Sequence, residues 1–144
     1  MKKIQILFLC TGNSCRSQMA EGWARHLKGN YLEPFSAGVK PKKINPNAIK
    51  VMAGAEVDIS GQQSQHIDEF KDVQLDLIVT VCGHAHEICP TLPNQTRLMH
   101  VGFDDPTKLA ESTQMEEETL GYYRRVRDEI RVFIETLPES AFGN

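Results

Sequence analysis

The octapeptide Cys10-Thr11-Gly12-Asn13-Ser14-Cys15-Arg16-Ser17 follows directly on the apolar run Ile4-Gln5-Ile6-Leu7-Phe8-Leu9. A cysteine at the mouth of a strand, a loop of small residues and an arginine at a helix start suit an anion cradle with a nucleophile at its base. The backbone N–H groups of Thr11, Gly12, Asn13, Ser14, Cys15 and Arg16 can converge on one oxyanion, and Gly12 and Asn13 tolerate the positive φ values such a loop needs. Arg16 can clamp two oxygens of a tetrahedral oxyanion at once. The arginine charge and the helix N-terminus both favour Cys10 as a thiolate, the reactive form. The Ser17 hydroxyl, next to that sulfur, can donate a hydrogen bond to it. Cys15 is expected to pack under the loop as an inert thiol. The loop carries neither the Gly-Lys-Ser/Thr of a nucleotide-binding loop nor a G-x-G-x-x-G dinucleotide fingerprint.

Such a loop needs a strand before it and a helix after it, and the chain offers both. Lys3 to Leu9 reads as a buried strand. Ser17 to Lys28 reads as a helix with Met19, Ala20, Trp23, Ala24 and Leu27 on one face. Tyr31 to Ser36 is a weaker strand. Asn45 caps a helix with Pro46 in its first turn and Ala48, Ile49, Met52 and Ala53 inward. A short helix follows Ser64. Leu75 to Val81 is a strand by its β-branched content, and Arg97 to Val101 is another. Thr113 and Glu116 predict a capping box for a long last helix, whose inner face carries Leu120, Tyr123, Val126, Ile130, Phe133, Ile134 and Leu137 before Pro138 ends it. Strands alternating with helices imply a parallel, doubly wound α/β sheet. All strand C-termini then lie along one edge, where ligands bind. Cys10, Cys82 and Asp105 each follow a strand, so they are expected to meet at that edge.

Length and composition narrow the class. The chain has 144 residues, which predicts one domain over 1–144, and its 16 Lys and Arg against 19 Asp and Glu leave a net charge of −3. That balance points away from nucleic acid and from anionic membranes as partners. The apolar stretches are strand-sized, so no membrane span is expected, and Met1-Lys2-Lys3 leads into the loop without a signal-peptide cleavage site. The expectation is a cytoplasmic monomer. Cytoplasmic thiols stay reduced, so Cys10, Cys15, Cys82 and Cys89 call for a chemical role rather than a disulfide framework.

The stretch C-T-G-N-S-C-R-S-Q-M-A-E-G-W, Cys10 to Trp23, strongly resembles the thioredoxin-coupled arsenate reductases that share the low-molecular-weight protein tyrosine phosphatase fold. The resemblance continues through S-A-G at Ser36, N-P-N-A at Asn45, V-T-V-C-G at Val79, G-F-D-D-P at Gly102 and R-V-R-D-E-I at Arg125. It implies a four-stranded parallel sheet flanked by helices. The first loop alone does not separate two chemistries, because reductase and phosphatase both begin with thiolate attack on a held oxyanion. A phosphatase then needs water, whereas a reductase needs a second thiol. The resemblance implies that Cys82 is that thiol and that Cys89 attacks it in turn. The disulfide passes from Cys10–Cys82 to Cys82–Cys89, which thioredoxin reduces. It also implies that Asp105, before Pro106, is the general acid; from the sequence alone its neighbour Asp104 remains open. Thr107-Lys108-Leu109 follows where tyrosine phosphatases of this fold carry aromatic residues, which favours the reductase.

Two ion questions arise. Cys82, His84, His86 and Cys89 could supply four zinc ligands, but their tight alternating spacing fits poorly with paired-knuckle sites. The resemblance further implies a potassium site at Asn13, Glu21 and Ser36. An aspartate of that pattern is replaced here by Gln65, so only a weak site is expected, with no tightly bound cofactor and no other metal.

Overall fold

The computed structural model describes residues 2–83 and 96–143. In chain order the elements are β1 (Ile4–Cys10), α1 (Arg16–Lys28), β2 (Leu32–Gly38), α2 (Pro46–Gly54), a 3-10 turn (Ile67–Phe70), β3 (Leu77–Thr80), β4 (Arg97–His100), α3 (Pro106–Leu109), α4 (Glu116–Glu135) and α5 (Glu139–Phe142). The strands form one four-stranded sheet in the order β2-β1-β3-β4, every neighbouring pair parallel.

β1 lies inside the sheet and its residues Ile6, Leu7, Phe8 and Leu9 are completely buried. A parallel strand covered on both faces has no solvent side, so its sequence is an unbroken apolar run. Each such side chain contributes roughly 1.5–3 kcal/mol on burial. That makes β1 the organising strand, and it ends on Cys10. The register sets Cys10 opposite Gly38 of β2, and Leu9 opposite Thr80 of β3. One hydrogen bond beyond that pair, Val81 N–H to Leu9 O at 2.9 Å, carries β3 on toward Cys82.

α1 packs on β1, β2 and α4, and α2 also packs on α4. Trp23 anchors the first contact: its ring is buried, its Nε1–H donates to Arg127 O at 3.1 Å, and the Arg131 guanidinium stacks 5.2 Å from the ring centre. Asn45 caps α2 as expected, its Oδ1 accepting from the N–H of Asn47 at 2.8 Å.

Several local expectations shift. β2 runs on through Pro34 to Gly38; it is an edge strand, where a missing N–H is tolerated. β3 starts later than Leu75, because Asp76 turns its carboxylate onto Gln5 N–H at 2.7 Å. α2 buries Ala48, Val51 and Met52 while Ala53 is exposed, since the Val51 carbonyl faces α4 and accepts from Arg127 at 2.8 Å. The capping box at Thr113 does not form. Met115 is the N-cap of α4, and the Thr113 hydroxyl donates to Ala110 O instead at 2.8 Å. The inner face of α4 is otherwise as read, with Leu120, Tyr123, Val126, Ile130 and Ile134 buried and Phe133 half-buried. The short helices α3 and α5 have no periodic signal to announce them.

Candidate active site

The loop between β1 and α1 is pinned from outside through its carbonyls. Thr11 O, Gly12 O and Ser14 O accept from the N–H groups of Lys40, Lys42 and Asn45, each at 2.8 Å. Asn13 O accepts from Gln18 Nε2 at 3.0 Å. In a planar trans peptide the C=O of one residue and the N–H of the next point in opposite directions. The N–H groups of Gly12, Asn13, Ser14 and Cys15 therefore face away from these bonds, the disposition an anion cradle needs. Asn13 is the residue with positive φ, at 46°. Gly12, expected to share that role, does not, and the sharp turn falls on Asn13 alone. Its buried side chain makes the turn affordable by bonding both ways: Nδ2 donates to Ser17 Oγ at 2.9 Å and Oδ1 accepts from Gln65 N–H at 2.8 Å.

Cys10 and Cys82, both buried, meet through a hydrogen bond between their thiols at the ends of neighbouring strands. Thr11 Oγ1 lies 3.1 Å from Cys82 Sγ. The Cys82 hydrogen bond, and after it burial, push the Cys10 thiol well above its ordinary range; the Arg16 charge and the Thr11 N–H oppose them without prevailing. This departs from the expected thiolate. Arg16 and the helix end favour the thiolate, but a second thiol competes for the same proton.

Cys15 is pushed up to about 12 by burial, with Arg16 opposing. The native state thus holds this proton where the unfolded chain, with an ordinary value of 9.0, has lost it. Its contribution to stability is complete below pH 9 and is lost as pH rises toward 12, at about 1.4 kcal/mol per pH unit. Urea unfolding at pH 8 and pH 10 should show this as a steeper loss for the wild type than for Cys15→Ala.

A cavity of about 410 Å³ opens over the loop, lined by Cys10, Gly12, Ser14, Cys15 and Arg16, by Lys42 through Pro46, and by Asp105 and Thr107. Cys82 touches Cys10 without lining the cavity. Arg16 is oriented by its Nη1 donating to Phe103 O at 3.0 Å, and its Nη2 stands 3.6 Å from Asp105 Oδ2. Asp105 caps α3, with Oδ1 accepting from Thr107 N–H at 3.0 Å and from the Thr107 hydroxyl at 2.7 Å. Asp104 is drawn elsewhere, paired with Arg125 of α4 at 2.7 Å. Ser17 lies buried behind the loop, with Asn13 Nδ2 as its shown partner. A hydroxyl that accepts one hydrogen bond keeps its own proton to donate.

Glu21 and Ser36 come together away from the cavity. Ser36 Oγ donates to Glu21 Oε1 at 2.6 Å, and Arg25 Nη2 donates to Glu21 Oε2 at 2.7 Å. Asn13 Oδ1 accepts from Gln65 N–H, and Arg25 brings a positive charge to the Glu21 carboxylate. His84, His86 and Cys89 lie outside the described residues; among the described ones no cluster of three His, Cys, Asp or Glu could hold a metal. No helix among the described residues is long and apolar enough to cross a membrane.

Sequence reasoning missed Lys42 and Lys43 on the cavity rim, although the K-P-K-K run at 40–43 was visible as local charge. It also missed the Thr11 hydroxyl beside Cys82, which nothing in the chain order announces.

A family profile described as low molecular weight phosphotyrosine protein phosphatase matches residues 5–140. The arsenate reductase of Halalkalibacterium halodurans is 49% identical over 140 residues, spanning 97% of this chain and 99% of that protein. Among solved structures, an arsenate reductase in the phosphate binding state matches with a TM-score of 0.76 at 29% identity, over 96% of this chain and 98% of that one. A low molecular weight protein tyrosine phosphatase from T. tengcongensis matches with a TM-score of 0.73 at 23% identity, over 96% and 99%, a likeness of fold.

Proposed function

We propose that this chain, which belongs to the low molecular weight phosphotyrosine protein phosphatase family, reduces arsenate to arsenite by a thiol relay from Cys10 through Cys82 to Cys89, with thioredoxin as the reductant. The observation that carries the reading is the pairing of the Cys10 and Cys82 thiols, with only Cys10 lining the oxyanion cavity. Displacement at sulfur proceeds in line with the leaving group. A second thiol outside the cradle is therefore better placed for relay than one beside the oxyanion. The arsenate reductases among the relatives support the same substrate.

On this reading the loop amides of Thr11 to Arg16 and the Arg16 guanidinium hold arsenate against Cys10. The Cys10 sulfur bonds to arsenic, and a net water departs, composed of the thiol proton and an arsenate hydroxyl. Asp105 delivers the proton to the leaving oxygen and Ser17 supports the developing thiolate. Cys82 thiolate then attacks the Cys10 sulfur. The S–As bond breaks, its electron pair stays on arsenic, and arsenite leaves as arsenic falls by two oxidation states. Cys89 attacks Cys82, freeing Cys10, and the dithiol of thioredoxin reduces the Cys82–Cys89 disulfide. The enzyme works as a cytoplasmic monomer, where the thioredoxin pool is reduced.

The test supplies arsenate, thioredoxin, thioredoxin reductase and NADPH. NADPH consumption by the wild type should collapse in Cys82→Ser and in Cys89→Ser; unchanged turnover in either would sink the relay. Because Arg25 already brings a positive charge to Glu21, replacing potassium by sodium at equal ionic strength is expected to change kcat by less than about twofold.

The Arg16–Asp105 pair at the cavity also favours a second, slower activity, hydrolysis of small aryl phosphates. That activity needs no relay, so it should survive Cys82→Ser.

A further inference from the structure

The cavity holds more room than its loop. A tetrahedral oxyanion fills on the order of four water volumes, each roughly 30 Å³, against about 410 Å³ available. The remainder is lined by the segment from Lys42 to Pro46 and by Asp105 and Thr107. Among the lining charges, Arg16 faces Asp105, so those two largely offset each other. Lys42 and Lys43 are left over. Both are exposed, and neither forms an ion pair among the described residues.

Lys42 is rooted in the site rather than trailing from it. Its N–H holds Gly12 O at 2.8 Å, and a Cβ placed on Gly12 would meet its side-chain stem at 3.6 Å. Two uncompensated positive charges therefore stand over an oxyanion cradle in a chain whose net charge is −3. The overall charge repels an anion from afar. A cleft lined by one sign of charge reverses that locally and raises both the local concentration and the on-rate of its ligand by 10- to 1,000-fold in order of magnitude.

We propose that Lys42 and Lys43 are specificity-determining residues that draw the oxyanion into the cavity and favour the charged substrate over the uncharged product. Arsenate is an anion at neutral pH, whereas arsenite there is the neutral acid. A cationic rim recruits the first and has no Coulombic hold on the second. The assignment rests on the arsenate reading only for the identity of the turnover; the capture of a tetrahedral oxyanion is measurable without it.

The experiment compares wild type with the double variant Lys42→Met/Lys43→Met. The arsenate KM should rise about tenfold with kcat within about twofold, and the dependence of kcat/KM on salt should flatten. The Kd of inorganic phosphate by calorimetry should rise in parallel, while inhibition by arsenite stays as in the wild type. Lys42→Arg/Lys43→Arg should restore the phosphate affinity. Lys2→Met/Lys71→Met, which removes the same charge from exposed positions that do not line the cavity, should not move it. An unchanged phosphate Kd in the methionine variant, an equal loss in the remote control, or a rise in KM for thioredoxin alone would overturn the proposal. The last outcome would make the rim a reductant-docking surface. Phosphate binding that behaves as stated in a protein that forms no arsenite would instead sink the reductase reading and leave the rim assignment standing.

Discussion

Cys82→Ala should lower arsenate turnover at least about thousandfold, since on the proposed relay it removes the nucleophile that frees arsenic from Cys10. The same change should make Cys10 more acidic. The Cys82 hydrogen bond is the largest of the influences that push the Cys10 thiol up, ahead of burial, while Arg16 and the Thr11 N–H pull down. With the partner sulfur gone, the two lowering influences face burial alone. A raised thiol pKa means the neutral form dominates at low pH and the thiolate appears only as pH climbs. Lowering it shifts that appearance to lower pH. The rate of Cys10 alkylation by iodoacetamide, followed by mass spectrometry across pH, should therefore rise earlier in Cys82→Ala than in the wild type. The two readouts move in opposite senses, with turnover falling as Cys10 becomes more reactive. A variant that had merely unfolded would expose every cysteine alike, Cys15 included. An unshifted alkylation profile would remove Cys82 from the control of Cys10.

Gly38→Ala is the second large effect, and it acts without touching a reacting group. Gly38 ends β2 opposite Cys10, and a Cβ there would lie 2.8 Å from Thr11 O, 2.9 Å from Asn13 N and 3.0 Å from Asn13 Cβ. The nearest two are backbone atoms of the nucleophile loop, so the added methyl can be accommodated only by moving the loop. Overpacking of this kind costs about 1–3 kcal/mol of stability. A displacement of about 1 Å in a catalytic constellation costs on the order of 100-fold in rate. Gly12→Ala is the contrast, because its nearest contacts would be at 3.5 Å and 3.6 Å and its φ is not positive. Its stability cost should stay below about 1 kcal/mol. Urea unfolding together with arsenate kcat/KM on both variants checks the pair.

These two glycines show where the sequence was legible and where it was not. The strand before Cys10 and the helix after Arg16 were readable because β1 is buried on both faces and α1 shows a helical apolar period. Parallel topology then brought Cys82 to the edge beside Cys10, a consequence of strand order rather than of any local motif. The same logic placed Asp105 at the cavity. Its neighbour Asp104 pairs instead with Arg125, more than twenty residues on, a contact that no local pattern announces. By contrast, the role of Gly38 is a contact between the end of β2 and a loop that precedes it, and no spacing rule reports such an approach. The Thr113 capping box failed for a local reason, since that hydroxyl found a carbonyl three residues back before the helix began. The influences that push the Cys10 thiol up include a sulfur far away in the chain. Pairwise, long-range terms are what a linear reading omits.

The carbonyls of the nucleophile loop, tied down by the amides of residues 40, 42 and 45, carry one more consequence. On the proposed reading much of the grip on the oxyanion, beside that of Arg16, comes from backbone N–H groups, which every residue type supplies except proline. Selection can therefore revise the side chains at Thr11 and Ser14 for other purposes while the grip on the ligand stays the same. The inheritance of that grip rests instead on three N–H groups in a neighbouring segment, where proline is the one residue that would erase a strut. Beyond the charges of Lys42 and Lys43 and the cap at Asn45, the segment is thus under a constraint on its main chain, which has no room for proline at residues 40, 42 and 45.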